Sequence, residues 1–445
     1  MIRLGAVRAV RAGIVVTLAV LMLSIGVLAT RGGPGSSQPP VGGSANSPLL
    51  VTPGATNLAD TIIKLQTRLH RVPGDYSSWA SLGIAYVQQA AITGSPTYYP
   101  KAEGALKRSL RLASKENANA LTGLAALAAA RHQFSEAARY AREAARIDHF
   151  NASAQGVLSD ALIQSGRYHA AFAALQRMLD LRPGVPAFTR ASYVFELRGQ
   201  FRPAAIALKR SLAIASSPSD IAFCDYYLGQ LAWNTGDLAR ADKYYTQGLR
   251  LDPAYVPLLA GRADVAAARA DNGLALRLYQ QVAQRLPVPT YLIPYVDLLR
   301  SLGLKTQAAR QRAVLRATQA LFESQGVNVD PMLALFDADH GQPTAALKTA
   351  RLVWGRQHGI LAADAYAWAL HVNGHDRQAL SFARQAERLG TKSALLDFHR
   401  GMIEKSLGMS EAARVSLRTA LNLNPYFSTQ LAPRAVAALR DLRRP

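Results

Sequence analysis

DYYLGQLAWNTGDLARADKYYTQGLRLDP, residues 225–253, is one complete helical unit with its own stop signals. Leu228 and Ala232 lie four residues apart, a spacing that places both side chains on one face of a helix. Gly236 stands where the first helix would end, and Pro253 cannot continue the second. The stretch therefore predicts two short helices joined by a tight turn, which pack against each other in antiparallel fashion.

Small residues repeat this unit along the chain. An alanine returns at the packing position of the second helix at intervals of 33 to 38 residues. These ladder alanines are Ala102, Ala137, Ala171, Ala204, Ala241, Ala275, Ala308, Ala346, Ala379 and Ala413. A glycine stands five residues before seven of them, at Gly166, Gly199, Gly236, Gly303, Gly341, Gly374 and Gly408. Glycine adopts the positive φ of a helix end without the cost of about 1 to 2 kcal/mol that other residues incur. The ladder predicts ten units.

The unit resembles the tetratricopeptide repeat, whose period is about 34 residues. Trp79 and Tyr86 match the large residues of the family's first helix, whereas Asp225 and Ala232 replace them in the stretch quoted above. The resemblance implies an all-α fold, a right-handed α-solenoid of about ten tetratricopeptide-like helix-turn-helix repeats. This solenoid is expected to span residues 57–445, with a capping helix at each end.

The amino-terminal residues 1–31 predict a signal anchor. Three arginines precede an uncharged apolar run over residues 12–30, and Arg31 follows it. About 19 residues at 1.5 Å rise nearly cross a 30 Å hydrocarbon core. The excess of arginine before the run favours an amino terminus inside the cell and a solenoid outside the cytoplasm. If the segment is cleaved, the protein is expected to be secreted. Residues 32–56 are rich in Gly, Pro and Ser and predict a flexible linker.

The charge of the chain favours acidic partners. The formal net charge is +22, which suits contact with an anionic polymer or lipid, although a basic surface also serves solubility alone. Cys224 is the single cysteine and excludes an intramolecular disulfide. Outward topology makes nucleic acid the least favoured of these partners.

No sequence motif for catalysis is present. The chain has no HExxH, no Gly-rich phosphate loop and no paired-cysteine metal site. We therefore expect no enzymatic activity, no catalytic residues, no cofactor and no metal. Asp337, Asp339 and His340 are interpreted as a solvated helix end. Gly374 separates His371 from His375 and argues against a metal pair on one helix.

The resemblance also implies a concave groove, lined by the first helix of each pair, that takes peptides or partner helices. The residues at groove positions are Tyr193, Glu196, Phe223, Tyr226, Gln230, Trp233, Asn234, Asp264, Asp297 and Arg300. The alternative for Tyr226 and Trp233 is that they fill the space between neighbouring helices. Acids recur on the same face at Asp160, Glu196, Asp264 and Asp297, which favours a basic or neutral peptide.

Two functions follow from the sequence. The first is a membrane-tethered tetratricopeptide scaffold that binds another protein outside the cytoplasm, with residues 12–30 in the membrane. The alternative is an adaptor that binds a polyanion, such as a cell-wall polymer, anionic lipid or nucleic acid, through its basic surface.

Overall fold

The computed structural model describes residues 55–442, in which 22 α-helices and no strand are found. The predicted anchor, residues 1–31, lies outside the described residues, as does the linker except for its last two residues, which begin α1 (Ala55–Arg71). Within residues 55–442, no helix is long and apolar enough to span a bilayer.

Ten helix pairs make up the body of the solenoid. Their first helices are α2 (Tyr76–Thr93), α4 (Ala118–Ala130), α6 (Ala152–Gln164), α8 (Val185–Leu197), α10 (Pro218–Asn234), α12 (Val256–Ala268), α14 (Pro289–Ser301), α16 (Pro331–Asp339), α18 (Ile360–His371) and α20 (Ala394–Ser406). Their second helices are α3 (Tyr98–Leu112), α5 (Phe134–Ile147), α7 (Tyr168–Leu181), α9 (Phe201–Ile214), α11 (Leu238–Leu251), α13 (Asn272–Arg285), α15 (Lys305–Ser324), α17 (Pro343–Trp354), α19 (Asp376–Ala386) and α21 (Ser410–Leu423). Helix α1 packs on α2 at one end, and α22 (Leu431–Asp441) packs on α21 at the other. The predicted all-α solenoid of ten units is confirmed.

The turns inside the pairs use the predicted left-handed residue. All seven glycines of the ladder have φ between +65° and +78°. Three units lack this glycine: in two of them His132 (φ 56°) and Ala270 (φ 60°) take the same conformation, and in the first, whose turn is longer, Gly94 (φ 64°) takes it at the end of α2. A left-handed alanine is strained because its Cβ approaches the following carbonyl oxygen. The turn geometry is therefore set by the repeat, and the sequence usually but not always supplies the residue that suits it.

Small residues bring the two helices of each unit together. Nine of the ten ladder alanines are fully buried, and the tenth, Ala308, is nearly so. In the central unit a Cβ added at Gly229 would lie 2.2 Å from the ring of Tyr245, which is itself fully buried. The pair therefore tolerates no side chain at Gly229, because the neighbouring ring already occupies that space.

The solenoid winds so tightly that successive turns of the superhelix touch. The Tyr168 hydroxyl lies 2.8 Å from the backbone nitrogen of Ile360, 192 residues away. The Asn424 side chain donates to the carbonyl of Trp233 across 191 residues, and Thr391 donates to the carbonyl of Leu197 across 194. With a repeat of about 34 residues, one superhelical turn takes between five and six units. The inner face is consequently narrow.

Candidate binding site on the inner face

Most of the predicted groove residues are buried. Those with exposed fractions of 8% or less are Tyr193, Glu196, Phe223, Tyr226, Gln230, Trp233 and Asn234. Asp264 and Asp297 are partly buried and line a cavity, whereas Arg300 is exposed and lines a different depression. The winding of the solenoid brings the inner helices close together, so that positions that face an open groove in a wider superhelix face one another here.

The aromatic residues of α10 pack with their neighbours. The Tyr226 ring lies edge-on to Tyr227 at 5.1 Å and to Tyr255 at 6.5 Å, both between ring centroids. Edge-to-face contacts at such distances stabilise a core. The structure therefore favours the packing alternative for Tyr226. Trp233 is buried as well, but it also borders the cavity described next.

Two acids of the inner face have contrasting partners. Arg190 donates to both carboxylate oxygens of Asp160, the closest at 2.8 Å, and both side chains are buried. Glu196 is buried without a cation: its hydrogen-bond partners are the Asn234 amide and the Ser192 hydroxyl, each at 3.4 Å. Burial raises the pKa of Glu196 to about 8, because its charged form is poorly solvated there.

A cavity of about 440 Å³ interrupts the inner face in the second superhelical turn. Its walls come from α12, α14 and α16 on one side and from α20, α22 and the segment 425–430 on the other. The polar and aromatic side chains that line it include Trp233, Asp264, Tyr279, Asp297, Phe336, Asp339, His340, His399, Tyr426 and Phe427. The segment 425–430 thus closes part of a space that is otherwise bounded by repeat helices.

The cavity carboxylates have mostly neutral partners. The Tyr279 hydroxyl donates to Asp264, and the Gln430 amide donates to Asp297 at 3.0 Å. Burial raises the pKa of Asp264 to about 7, and the Tyr279 hydrogen bond only partly offsets this effect. Burial also raises the pKa of Asp339, whose carboxylate accepts a hydrogen bond from the Trp368 indole at 2.9 Å. Arg434 approaches Asp339 to 3.8 Å from the outer side.

The end of α16 is not the solvated terminus that the sequence indicated. Asp337 is buried and accepts from Arg316, Asp339 faces the cavity, and the His340 side chain is 1% exposed. The His340 Nδ1 lies 2.7 Å from the carbonyl of Phe336. That interpretation was wrong because the end of α16 packs against Arg316 of α15 and borders the cavity instead of facing solvent.

Two imidazoles present an unpartnered nitrogen beside the cavity. The His399 Nδ1 donates to the Asp364 carboxylate at 2.9 Å, and its Nε2 is buried without a hydrogen-bond partner. The His340 Nε2 lies 3.1 Å from a carboxylate oxygen of Asp297, but not in hydrogen-bond geometry. A buried polar atom without a partner is uncommon and costs about 1 to 3 kcal/mol.

The repeat spacing could have identified some of the missed residues. Asn234 precedes its ladder alanine by seven residues, and the same step before later alanines gives Ala268, Ser301 and Asp339, which all line the cavity. No comparable signal exists for His399, which reaches the cavity through the winding of the solenoid. Among the described residues, no group of three or more metal-ligating side chains is close enough to hold a metal ion.

Comparison with known proteins agrees with the repeat architecture. Residues 226–255 match the tetratricopeptide repeat, and no curated protein matches the sequence. Among solved structures, PilF of Pseudomonas aeruginosa is 18% identical with a TM-score of 0.37, covering 44% of this chain and 89% of its own. A thermophilic tetratricopeptide repeat protein of Thermus thermophilus is 21% identical with a TM-score of 0.37, covering 44% and 99%. A tetratricopeptide repeat protein from Parabacteroides merdae is 15% identical with a TM-score of 0.34, covering 58% and 99%.

These similarities are distant, and they concern the fold alone. The matched residues 226–255 contain the second half of α10, the left-handed Gly236, and all of α11 with its ladder alanine Ala241. The same geometry recurs in ten pairs across residues 55–442. The chain is therefore an α-solenoid of tetratricopeptide-like repeats.

Proposed function

We propose that the protein is a membrane-tethered tetratricopeptide scaffold that binds another protein outside the cytoplasm and has no catalytic activity of its own. The cavity on the inner face is the observation that carries the binding role. Its volume of about 440 Å³ lies within the range of ligand pockets, roughly 300 to 1,000 Å³. Its lining combines apolar and aromatic side chains with a few polar groups, which is the usual composition of a binding site.

Site-specific photocrosslinking in cells tests the binding role. Ser301 lines the cavity and is exposed, so a photoreactive amino acid fits there without disturbing the core. Ile206 on α9 is 47% exposed and serves as the control outside the cavity. We expect a discrete protein product from position 301 that is absent from position 206. No product at 301, or the same products at both positions, would contradict binding at the inner face.

The tether is supported by the charge pattern of the amino terminus. Three arginines precede the apolar run at 12–30 and only Arg31 closely follows it, and this bias orients a single span with its amino terminus inside. The Gly/Pro/Ser-rich residues 32–56 would hold the first repeat about 25 to 30 Å from the bilayer, since a flexible chain extends by about 5 to 6 Å times the square root of its length.

Protease treatment of intact spheroplasts tests the orientation. A protease added outside should cut first between residues 32 and 56, where Gly, Pro and Ser prevent a packed structure, and should release the solenoid. A cytoplasmic protein probed in the same sample controls for lysis. If the solenoid survives until the membrane is permeabilised, the proposed orientation is wrong.

A second candidate function is supported by a solvent-exposed basic depression between two helices of one unit. A space of about 320 Å³ between α14 and α15 is lined by Arg300, Lys305 and Arg312 and by no acidic side chain. All three cations are exposed. Clustered cations of this kind attract phosphate or carboxylate polymers. This surface would make the protein an adaptor for an anionic polymer or lipid headgroup.

Salt dependence separates the two functions. Binding of the purified protein to anionic vesicles or to a phosphate polymer should weaken steeply between about 50 and 200 mM salt if counterion release drives it. Replacing Arg300 and Arg312 with glutamine should then reduce the affinity. Binding that is insensitive to both salt and these substitutions would exclude the basic depression as the site.

A further inference from the structure

The inner-face cavity concentrates carboxyl groups in a strongly basic protein. Its lining contains the carboxylates of Asp264, Asp297 and Asp339, and none of its lining residues is lysine or arginine. The protein as a whole carries +22. The side chains of Asp297 and Asp339 are 20% and 16% exposed, so a ligand can reach them from solvent. The cavity is therefore complementary to a cation.

The protein's own charged groups leave this negative charge incompletely balanced. Asp264 accepts from the neutral Tyr279 hydroxyl, and no ion pair to it is found among the described residues. Arg434 remains 3.8 Å from Asp339, while its guanidinium lies over the rings of Trp368 and Phe398. A carboxylate held in a partly buried site without a cation favours any ligand that supplies one.

The unpartnered histidine nitrogens indicate a missing donor. Because the His399 Nδ1 hydrogen points at the Asp364 carboxylate, Nε2 occupies the other edge of a ring that lines the cavity and acts electrostatically on Asp339. This side chain is fully buried, and its Nε2 has no partner. A neutral imidazole with a protonated Nδ1 offers Nε2 as an acceptor. A ligand N–H would satisfy it.

Aromatic side chains complete the chemistry of the site. Trp233, Tyr279, Phe336 and Phe427 line the same cavity as the three carboxylates. The face of an aromatic ring attracts a cation, and the attraction strengthens where water is excluded. Carboxylates, an acceptor nitrogen and aromatic rings around one space are together suited to an ammonium or guanidinium group on an apolar stem.

We propose that this cavity binds a lysine or arginine side chain presented by an extended, basic segment of the partner protein. The proposal rests on the proposed scaffold function and specifies the chemistry of its partner. The volume of about 440 Å³ exceeds that of one side chain, so the neighbouring residues of the segment also enter. Asp264 and Asp297 receive the charged head, and the aromatic rings contact its stem.

Titration of the full-length protein with short capped peptides tests this site. The probes are alanine and glycine peptides with a central lysine, arginine, glutamate or norleucine, the last being the uncharged counterpart of lysine. We expect binding of the lysine and arginine peptides, and at least about tenfold weaker binding of the norleucine peptide, because removal of the charge removes the ion pair. Equal binding of the lysine and norleucine peptides would overturn the proposal.

Matched substitutions locate the binding. The double variant Asp264→Asn with Asp297→Asn should weaken the lysine peptide at least about tenfold. Asp180→Asn makes the same chemical change at an exposed position on α7 and should leave binding unchanged. A thermal melt of each variant verifies that it is folded. Retained affinity in the folded double variant would place the peptide elsewhere and overturn the proposal.

Two further outcomes distinguish this inference from the scaffold function. A crosslinked partner at position 301 together with no binding of any basic peptide would keep the scaffold function and overturn the cationic site. Spermidine and butylamine form a separate arm of the titration. If they bind, lose affinity in the double variant and are not displaced by the peptides, the site takes a small amine and the peptide proposal is overturned.

Discussion

The inner face is filled at α8 and α10 but hollow at α12 and α14, although all four helices, like α6 before them, use the same repeat position at this face. That position lies eleven residues before the ladder alanine and holds Asp160, Tyr193, Gln230, Asp264 and Asp297 in successive units. Tyr193 and Gln230 are buried among neighbouring side chains, whereas Asp264 and Asp297 border the cavity of about 440 Å³.

Asp160 and Asp264 both occupy this position, but their carboxylates have different partners. Asp160 has a buried arginine from the next unit as its partner, at 2.8 Å. Asp264 has a tyrosine hydroxyl instead. The position in the repeat therefore determines the direction in which a side chain points. The residues that lie opposite that side chain in the superhelix determine whether its charge is balanced. The same acid is paired with a cation in one unit and has only a neutral hydrogen-bond donor in another.

The largest effect is expected at Asp160. Asp160→Ala leaves the buried Arg190 guanidinium without its carboxylate, and we expect a loss of about 3 to 5 kcal/mol, as is typical when one partner of a buried pair is removed. Urea unfolding followed by circular dichroism measures the change. Asp180→Asn on the exposed side of α7 is the control. A loss below about 1 kcal/mol would mean that Arg190 is adequately satisfied by its other contacts.

The opposite sign is expected at the equivalent Asp264. Its pKa is raised from 3.8 to about 7 in the folded protein, so its contribution to stability is fully present below pH 3.8 and is lost as the pH rises to about 7. An asparagine at this position does not ionise, so the protein loses no stability there as the pH rises. Asp264→Asn should therefore raise the free energy of unfolding by about 2 to 4 kcal/mol near pH 8.

Thermal melts between about pH 4 and pH 8 check this expectation. The difference between Asp264→Asn and the parent protein should shrink steadily toward pH 4, because the carboxyl becomes protonated in the folded chain and begins to be protonated in the unfolded chain. Destabilisation near pH 8 would show that Asp264 is ionised and already balanced, which would remove the contrast with Asp160.

The contacts between superhelical turns predict a smaller effect. Gly166 and Gly303 share a positive φ, of 70° and 73°, but a Cβ at Gly166 would lie 2.3 Å from the carbonyl oxygen of His358, whereas nothing lies within 4 Å at Gly303. Both Ala variants incur the left-handed cost of about 1 kcal/mol. Gly166→Ala should lower the free energy of unfolding by about 1 to 3 kcal/mol more than Gly303→Ala, because the backbone at His358 must move to admit the new Cβ. Equal losses in urea unfolding would show that the two turns separate readily.

The smallest effect is a gain in stability at Ala270. Ala270 occupies the left-handed turn position with φ 60°, and glycine removes that strain while making the unfolded chain more flexible. Ala270→Gly should therefore stabilise the α12–α13 unit by no more than about 1 kcal/mol. Differential scanning calorimetry measures the shift of the melting temperature. A decrease would mean that the alanine side chain contributes packing at the rim of the cavity.

The sequence alone determined the repeat and its local geometry. The ladder from Ala102 to Ala413 predicted the number of helix pairs, and the glycines five residues earlier predicted the position of seven of the ten turns. Both are local requirements: close helix approach needs a small side chain, and a left-handed turn favours glycine.

The tertiary structure decided how the inner face is used. Glu196 and Trp233 were predicted to line a groove and are buried instead. With units of about 34 residues, the sequence could not show that successive superhelical turns would meet after 191 to 196 residues. That winding angle is the sum of small rotations at every interface between units, and no single residue encodes it. It buries the positions on α8 and α10, and it leaves Asp264 and Asp297 facing an acidic cavity.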